Sequence, residues 1–330
     1  MMNSRYQLPT PLSGRIDSTS DQEAFRWHQI IKPINLNEPI QFEKTAINIC
    51  FLGFCSDEGV KRNMGRVGAA KGPASIRKEM ANWPANCLPH VQLFDAGDIT
   101  CDDGNLEEAQ EQLAVAVNKI HQAGLFTILL GGGHEIALGH FNGIRESLDE
   151  APAIINFDAH LDLRPVIDKG SSGTMFNQIH RICEDKKEDF NYLCIGAQTY
   201  ANTQSLFNKA NEIGAQYILA KDISTSSYNK IEEQISNYIK DKNQIYLTIC
   251  SDVLSAAHAP GVSAVQPFGL DPDMVLQLIK SIIHSGKLCS LDIAEVSPRF
   301  DADNRTAKLV AVYIYAVINS MIEQKLNQSY

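Results

Sequence analysis

Short runs of apolar residues recur along this chain, spaced so that most neighbouring pairs leave room for a helix between them. The runs are 46–53, 92–95, 126–130, 153–157, 192–195, 216–218, 244–249 and 289–294. Between the second and third, Leu106, Ala109, Leu113, Ala116, Val117 and Ile120 repeat at intervals of three and four. That is the period of a helix with one buried face. Near-continuous apolar strands alternating with amphipathic helices predict a mainly parallel sheet covered on both faces, an α/β fold. Residues 1–45 read differently. They are rich in Pro, Ser, Thr and Asn, with one amphipathic stretch at 21–31. They predict an N-terminal extension packed on a single domain of 46–330, since no repeat, low-complexity tract or linker divides the rest.

Composition narrows the class without changing the fold. A chain of 330 residues with 44% hydrophobic and 21% charged positions can bury a large core as an ordinary globular protein. The first residues lack the apolar core of a signal peptide, and no run approaches the ~20 apolar residues of a membrane span. The expectation is a cytoplasmic protein without membrane contact. Eight cysteines at 50, 55, 87, 101, 183, 194, 250 and 289 include no CxxC pair, which disfavours a zinc finger or a disulfide framework. The net charge of −10 disfavours nucleic-acid binding. It does not exclude an acidic substrate, because pocket charge and total charge are separate. Assembly as a homo-oligomer stays open.

Chemistry concentrates where strands end. In open α/β sheets, functional groups sit beyond the carboxyl ends of the strands. Run 153–157 leads into Asp158, His160 and Asp162, which alternation in an extended segment would send to one face. Such a triplet suits a divalent metal, or two ions bridged by a carboxylate. Run 126–130 leads through Gly131, Gly132 and Gly133 to His134, the glycines permitting a tight turn. Run 244–249 leads to Cys250 and Asp252, and run 289–294 to Glu295. Each group alone better suits a capping carboxylate, a core histidine or a buried thiol. Four at equivalent places on one sheet favour a metal site.

With these motifs in place, the chain resembles the ureohydrolases, a superfamily that includes arginase, agmatinase and formimidoylglutamase. The resemblance rests on GGGHE (131–135), FDAHLD (157–162), Cys250-x-Asp252 followed by APGVSA (259–264), and DIAEVSP (292–298), and it covers about residues 46–320. It implies a three-layer α/β/α fold, arginase-like, with about eight strands and two Mn2+ ions. By that analogy His134, Asp158, Asp162 and Cys250 surround one ion. Asp158, His160, Cys250 and Asp252 surround the other. The stretches Gly59 to Pro73, Leu161 to Arg164 and Ser172 to Phe176 are similar to the formimidoylglutamase branch. The chain departs from the family at Cys250, where an aspartate is usual. A thiolate offers one bridging atom instead of two and suits softer ions than Mn2+, which puts occupancy by the second ion in doubt.

The resemblance implies hydrolysis of N-formimidoyl-L-glutamate to L-glutamate and formamide, a step of histidine breakdown, by metal-activated hydroxide. Asp162 would carry a proton to the leaving nitrogen, and Glu295 would hold the cationic formimidoyl group. The rest of that substrate is a dianion, for which Arg66 and Arg164 are candidate clamps. Asn63, Ser171, Gly173 and Thr174 are candidate hydrogen-bonding neighbours. An agmatinase-like or other amidino hydrolase is the alternative activity, and a metal-poor, non-catalytic homologue is the alternative class. Finally, run 46–53 leads to Cys55 at the same sheet edge as Cys250. A disulfide between them is possible if their Cα atoms lie within about 7 Å, and it would make the site redox-sensitive.

Overall fold

A computed structural model describes residues 2–43 and 47–327. The expected start of the first strand at Ala46, and with it the expected boundary after residue 45, lies outside the described residues. Among the described residues ten strands form one sheet: β1 (Tyr6–Gln7), β2 (Lys32–Pro33), β3 (Ile47–Cys55), β4 (Val91–Thr100), β5 (Phe126–Leu130), β6 (Ala153–Phe157), β7 (Tyr192–Ala197), β8 (Gln216–Leu219), β9 (Ile245–Cys250) and β10 (Leu288–Ala294). Their order is β1-β4-β3-β5-β10-β9-β6-β7-β8, with β2 also on β4. Every pairing is parallel except β1 with β4. The eight apolar runs are the eight strands from β3 to β10. The two additional strands come from the N-terminal segment.

Alternation along the strands builds two apolar layers. Ile49 and Phe51 of β3 face one side, while Cys50, Leu52 and Phe54 face the other. The first layer is covered by helices Gly72–Met80, Tyr228–Ile239, Pro272–His284 and Arg305–Asn327. The second is covered by Leu106–Gln122, Ile136–Arg145, Met175–Lys186 and Gln204–Glu212. Helix Leu106–Gln122 buries Leu106, Ala109, Leu113, Ala116, Val117 and Ile120, the face its spacing predicts. Among the described residues the segment Ala302–Asn327, which ends in helix Arg305–Asn327, is long and apolar enough by length and composition to cross a bilayer, and 56% of its apolar window is buried inside the fold. Its composition has a core explanation: Val310, Tyr313, Ile314, Val317 and Ile318 are buried against the first layer.

The N-terminal segment is tied in more closely than surface packing implies. Trp27 is fully buried, with its ring 6.1 Å from that of Phe51 and 5.7 Å from that of Tyr315. Burying a side chain of this size contributes at least the ~1.5–3 kcal/mol of a large apolar residue. The amphipathic stretch at 21–31 folds as two short turns, Gln22–Ala24 and Trp27–Ile30.

Candidate metal centre

Strands β5, β10, β9 and β6 are consecutive neighbours in the middle of the sheet. Their carboxyl ends carry His134, Glu295, Cys250 with Asp252, and Asp158 through Asp162. Neighbouring strands lie only ~4.8 Å apart, so groups distant in sequence converge on one cavity of about 300 Å³, lined among others by His134, His160, Asp162, Cys250, Asp252 and Glu295. The donor atoms of His134, Asp158 and Cys250 lie within 4.8 Å of one another, as do those of Asp158, His160 and Asp252. Asp158 belongs to both groups. Its Oδ2 is 2.9 Å from His134 Nδ1, and its Oδ1 is 3.4 Å from His160 Nδ1. Asp162 Oδ2 lies 3.1 Å from His134 Nδ1, and Asp252 Oδ2 lies 3.2 Å from His160 Nδ1.

The convergence does not come from strand alternation. β6 ends at Phe157, and residues 158–162 form a loop in which Asp162 adopts φ 49°. Hydrogen bonds to the loop backbone hold it there. Asn202 accepts from Leu161 N at 2.9 Å and donates to Ala159 O at 2.9 Å, while Tyr192 OH donates to Leu161 O at 3.1 Å. Glu295 likewise leaves β10 at φ 68°. Positive φ costs a non-glycine residue free energy and persists only where the surroundings enforce it.

The glycine run acts through close approach. None of Gly131, Gly132 and Gly133 has positive φ. Gly132 lies wedged against β3: its N–H donates to Phe54 O at 2.8 Å, and a Cβ would stand 1.8 Å from Ser56 O. Its own carbonyl accepts from Glu295 N at 2.8 Å, locking the tip of β5 to that of β10. His134 N donates to Glu295 Oε1 at 3.1 Å.

Behind His134 runs a fully buried polar chain. His134 Nε2 is 2.9 Å from Thr248 Oγ1, which donates to Asp292 Oδ1 at 2.6 Å. Asp292 Oδ2 meets His140 Nδ1 at 2.5 Å and also accepts from Tyr246 OH. With Nε2–H donated to Thr248, Nδ1 is left as a lone-pair donor toward the cavity. Sequence reasoning assigned none of these four residues a role. Thr248 and Asp292 face each other in register on β9 and β10. Polar residues inside fully buried strands must find partners, and that was the available signal.

The electrostatics ask for cations. Burial opposes charge on His134, yet Asp158 and Asp162 prevail and raise its pKa well above the ordinary value. Burial is likewise overcome at His160 by Asp252 and Asp158, with the same result. Asp158 is held far below the usual carboxylate range because its two imidazole partners outweigh its burial. Burial, then the Asp158 charge, pushes Asp162 up to about 6. Burial, then Glu135 and Asp252, pushes Glu295 up to about 8. Burial and then Asp158 also raise Asp252. Without metal the site therefore retains protons that dications would displace. Asp252 Oδ1 and Glu295 Oε2 are buried with no hydrogen-bond partner. Convergent N, O and S donors with orphaned carboxylate oxygens fit a pair of divalent ions.

Around the mouth the expected substrate residues divide. Asn63, Arg66 and Arg164 line the cavity. No described residue pairs with the Arg164 guanidinium. Arg66 donates from Nε to Ser263 O at 2.9 Å and from Nη2 to Val262 O at 2.7 Å, and lies 4.2 Å from the Phe300 ring centre. That leaves Nη1 for an anion. Ser171 and Thr174 are engaged in the turn that starts helix Met175–Lys186: Thr174 Oγ1 accepts from Ser171 N at 2.8 Å, and Ser171 Oγ accepts from Gly173 N at 3.3 Å. Ser172 and Asn202 line the cavity in their place. Gly173 acts by making room, since a Cβ would lie 3.0 Å from Arg164 Cδ and 3.1 Å from the Asn63 amide.

The suggested Cys55–Cys250 pair is not formed, and all eight cysteines are free. β3 and β9 are separated by β5 and β10, about 14 Å at the usual strand spacing. A disulfide needs Cα atoms closer than about 7 Å, so this pair cannot bridge without breaking the sheet. Sharing an edge of a parallel sheet does not make two strand ends neighbours.

A model of the Arginase family matches residues 47–319. A formimidoylglutamase of Clostridium tetani is 50% identical over 315 residues, which is 93% of each chain. One of Geobacillus thermodenitrificans is 41% identical over 313 residues, 93% of this chain and 95% of the relative. Among solved structures, formimidoylglutamase from Bacillus subtilis aligns with a TM-score of 0.79 at 21% identity, covering 94% of this chain and 96% of that one. Trypanosoma cruzi formiminoglutamase with Mn2+ aligns with a TM-score of 0.75 at 24% identity, covering 86% and 96%. At such identities the two structures speak to the fold, and the fold is the arginase-like α/β/α one the motifs implied.

Proposed function

Because this chain belongs to the arginase family, we propose that it hydrolyses the amidine C–N bond of N-formimidoyl-L-glutamate, releasing L-glutamate and formamide. The observation that carries the reading is the polarity of the cavity. Asp162, Asp252 and Glu295 line it, with Asp158 buried behind them, while two exposed arginines, Arg66 and Arg164, stand at its mouth. A substrate with a cationic head and a dicarboxylate tail matches that gradient. Agmatine, whose tail ends in a cation, does not.

His134, Asp158, His160, Asp162, Cys250 and Asp252 would hold the divalent ions, with Mn2+ suggested by the T. cruzi structure. When bound, such ions supply the Lewis acidity that brings the pKa of water toward neutrality. The protein's own groups do the rest. Glu295, buried with a free carboxylate oxygen, pairs with the formimidoyl cation and orients its carbon. Arg164 grips a carboxylate, Arg66 adds a single contact, and Asn63 and Ser172 offer hydrogen bonds along the wall. The oxygen of water bonds to the formimidoyl carbon, and the bond from that carbon to the glutamate nitrogen breaks. Asp162, which lines the cavity beside His134, carries the proton that the leaving amine takes up. The other nitrogen departs in formamide. Eight unpaired thiols support a reducing, cytoplasmic setting.

Side-by-side assays of formimidoylglutamate, agmatine and arginine, with Mn2+ and reductant present, test the reading. Glutamate release from the first substrate alone is the expected result. No turnover of it would overturn the proposal.

A further inference from the structure

The two donor groups are not chemically alike. Asp158 presents Oδ2 to His134 and Oδ1 to His160. It thereby separates a position with nitrogen, oxygen and sulfur donors from one with nitrogen and oxygen only. The first gathers His134, Asp158 and Cys250, with Asp162 Oδ2 beside the imidazole. The second gathers Asp158, His160 and Asp252. Cys250 sits at the end of β9, 2% exposed, and lines the cavity. Its nearest competitor for a redox role, Cys55, is out of reach, so the thiol is reserved for the cavity. A buried sulfur with one imidazole and one or two carboxylates is a donor set for a thiophilic ion. The second group, with the unpartnered Asp252 Oδ1, suits a hard ion that prefers oxygen.

We infer that the centre is built for two different metals: a thiophilic ion such as Zn2+ held by His134, Asp158, Asp162 and Cys250, and Mn2+ held by Asp158, His160 and Asp252. This inference rests on the metal-hydrolase reading above and deepens it. Binding at the first position converts the Cys250 thiol to a thiolate ligand and releases its proton to solvent. The thiolate ligates one ion through its single donor atom, where a carboxylate would span both. The centre is therefore assembled as two unequal sites joined by Asp158.

The test uses the full chain, reduced, stripped with chelator and reloaded. With Co2+, a near-ultraviolet sulfur-to-cobalt charge-transfer absorption is expected, and it should vanish in Cys250→Ser and Cys250→Asp. In competition dialysis, one Zn2+ per chain should resist excess Mn2+ in the wild type. Cys250→Asp should shift that preference toward Mn2+ at least roughly 10-fold, the scale on which even changes outside the ligand sphere act. Should the variants fail to fold, the wild type carries the test by itself. Zn2+ should protect Cys250 from alkylation, mapped by peptide mass, and Mn2+ should protect it far less. Two Mn2+ bound with no Zn2+ preference, no charge-transfer absorption, or alkylation of Cys250 indifferent to Zn2+ would each overturn the inference while leaving the hydrolase reading intact. A chain that binds no divalent ion at all would overturn that reading instead.

Discussion

His134 can offer Nδ1 to the cavity because its other ring nitrogen is already engaged by Thr248, and Thr248 by Asp292. Partners of this kind fix tautomer and ring orientation, and their loss typically lowers metal affinity about 10–100-fold. Thr248→Val is therefore expected to weaken metal binding on that scale, as read by equilibrium dialysis, with the fold retained. Unchanged affinity would show that His134 needs no such support. At the mouth, the Arg164 guanidinium has no partner among the described residues, which leaves it available for substrate. Arg164→Met should raise KM for formimidoylglutamate by roughly 10- to 100-fold with little change in kcat, the effect of a lost charge-assisted hydrogen bond worth about 1.5–3 kcal/mol. Steady-state kinetics decide this. A KM like that of the parent would remove Arg164 from the site.

Among elements, the tips of β3, β5 and β10 form a stitched unit in which Gly132 is the tightest point. Its N–H and its carbonyl bond to neighbours on either side, and no room remains for a side chain. Gly132→Ala must push the backbone of Ser56 and Phe54 aside. Overpacking of this kind costs about 1–3 kcal/mol, and urea unfolding should show it together with weaker metal binding. A silent substitution would mean that the junction yields more easily than its hydrogen bonds suggest. The same unit explains why alternation alone misjudged loop 158–162. Asn202 and Tyr192, from outside β6, bend the chain there and impose the positive φ of Asp162.

For the molecule as a whole, the centre stores protons when metal is absent. Glu295 and Asp162 have folded pKa values of about 8 and about 6, and those of His134 and His160 are raised as well. Groups with raised folded values bind more protons folded than unfolded. Their contribution is present at low pH and is lost as pH rises through the folded values. The chelated protein should accordingly lose thermal stability between about pH 5 and pH 8. Metal added at 100 times its Kd should restore about 2.7 kcal/mol per site, most visibly at the upper end. Calorimetry with and without chelator reads both effects. A Tm of the chelated form that does not fall over this range would contradict the proton-storing centre.

Much of this was legible in the chain itself. Apolar runs and helical spacing reflect the requirement that each strand and helix bury a face, so the eight strands β3 to β10 and a helix such as Leu106–Gln122 could be read from periodicity. Strand-end motifs then marked His134, Asp158, His160, Asp162, Cys250, Asp252 and Glu295 as groups that could meet. Tertiary structure decided which of them do. Strand order puts β5, β10, β9 and β6 side by side and leaves β3 three strands from β9, and no local pattern records that order. It decided that Ser172 and Asn202 face the cavity while Ser171 and Thr174 serve a turn, because both kinds of serine and threonine look alike until their partners are known. It also supplied the Thr248–Asp292–His140 chain, whose members are far apart in sequence. Periodicity is a property of single elements, whereas a site is a property of the neighbours they acquire.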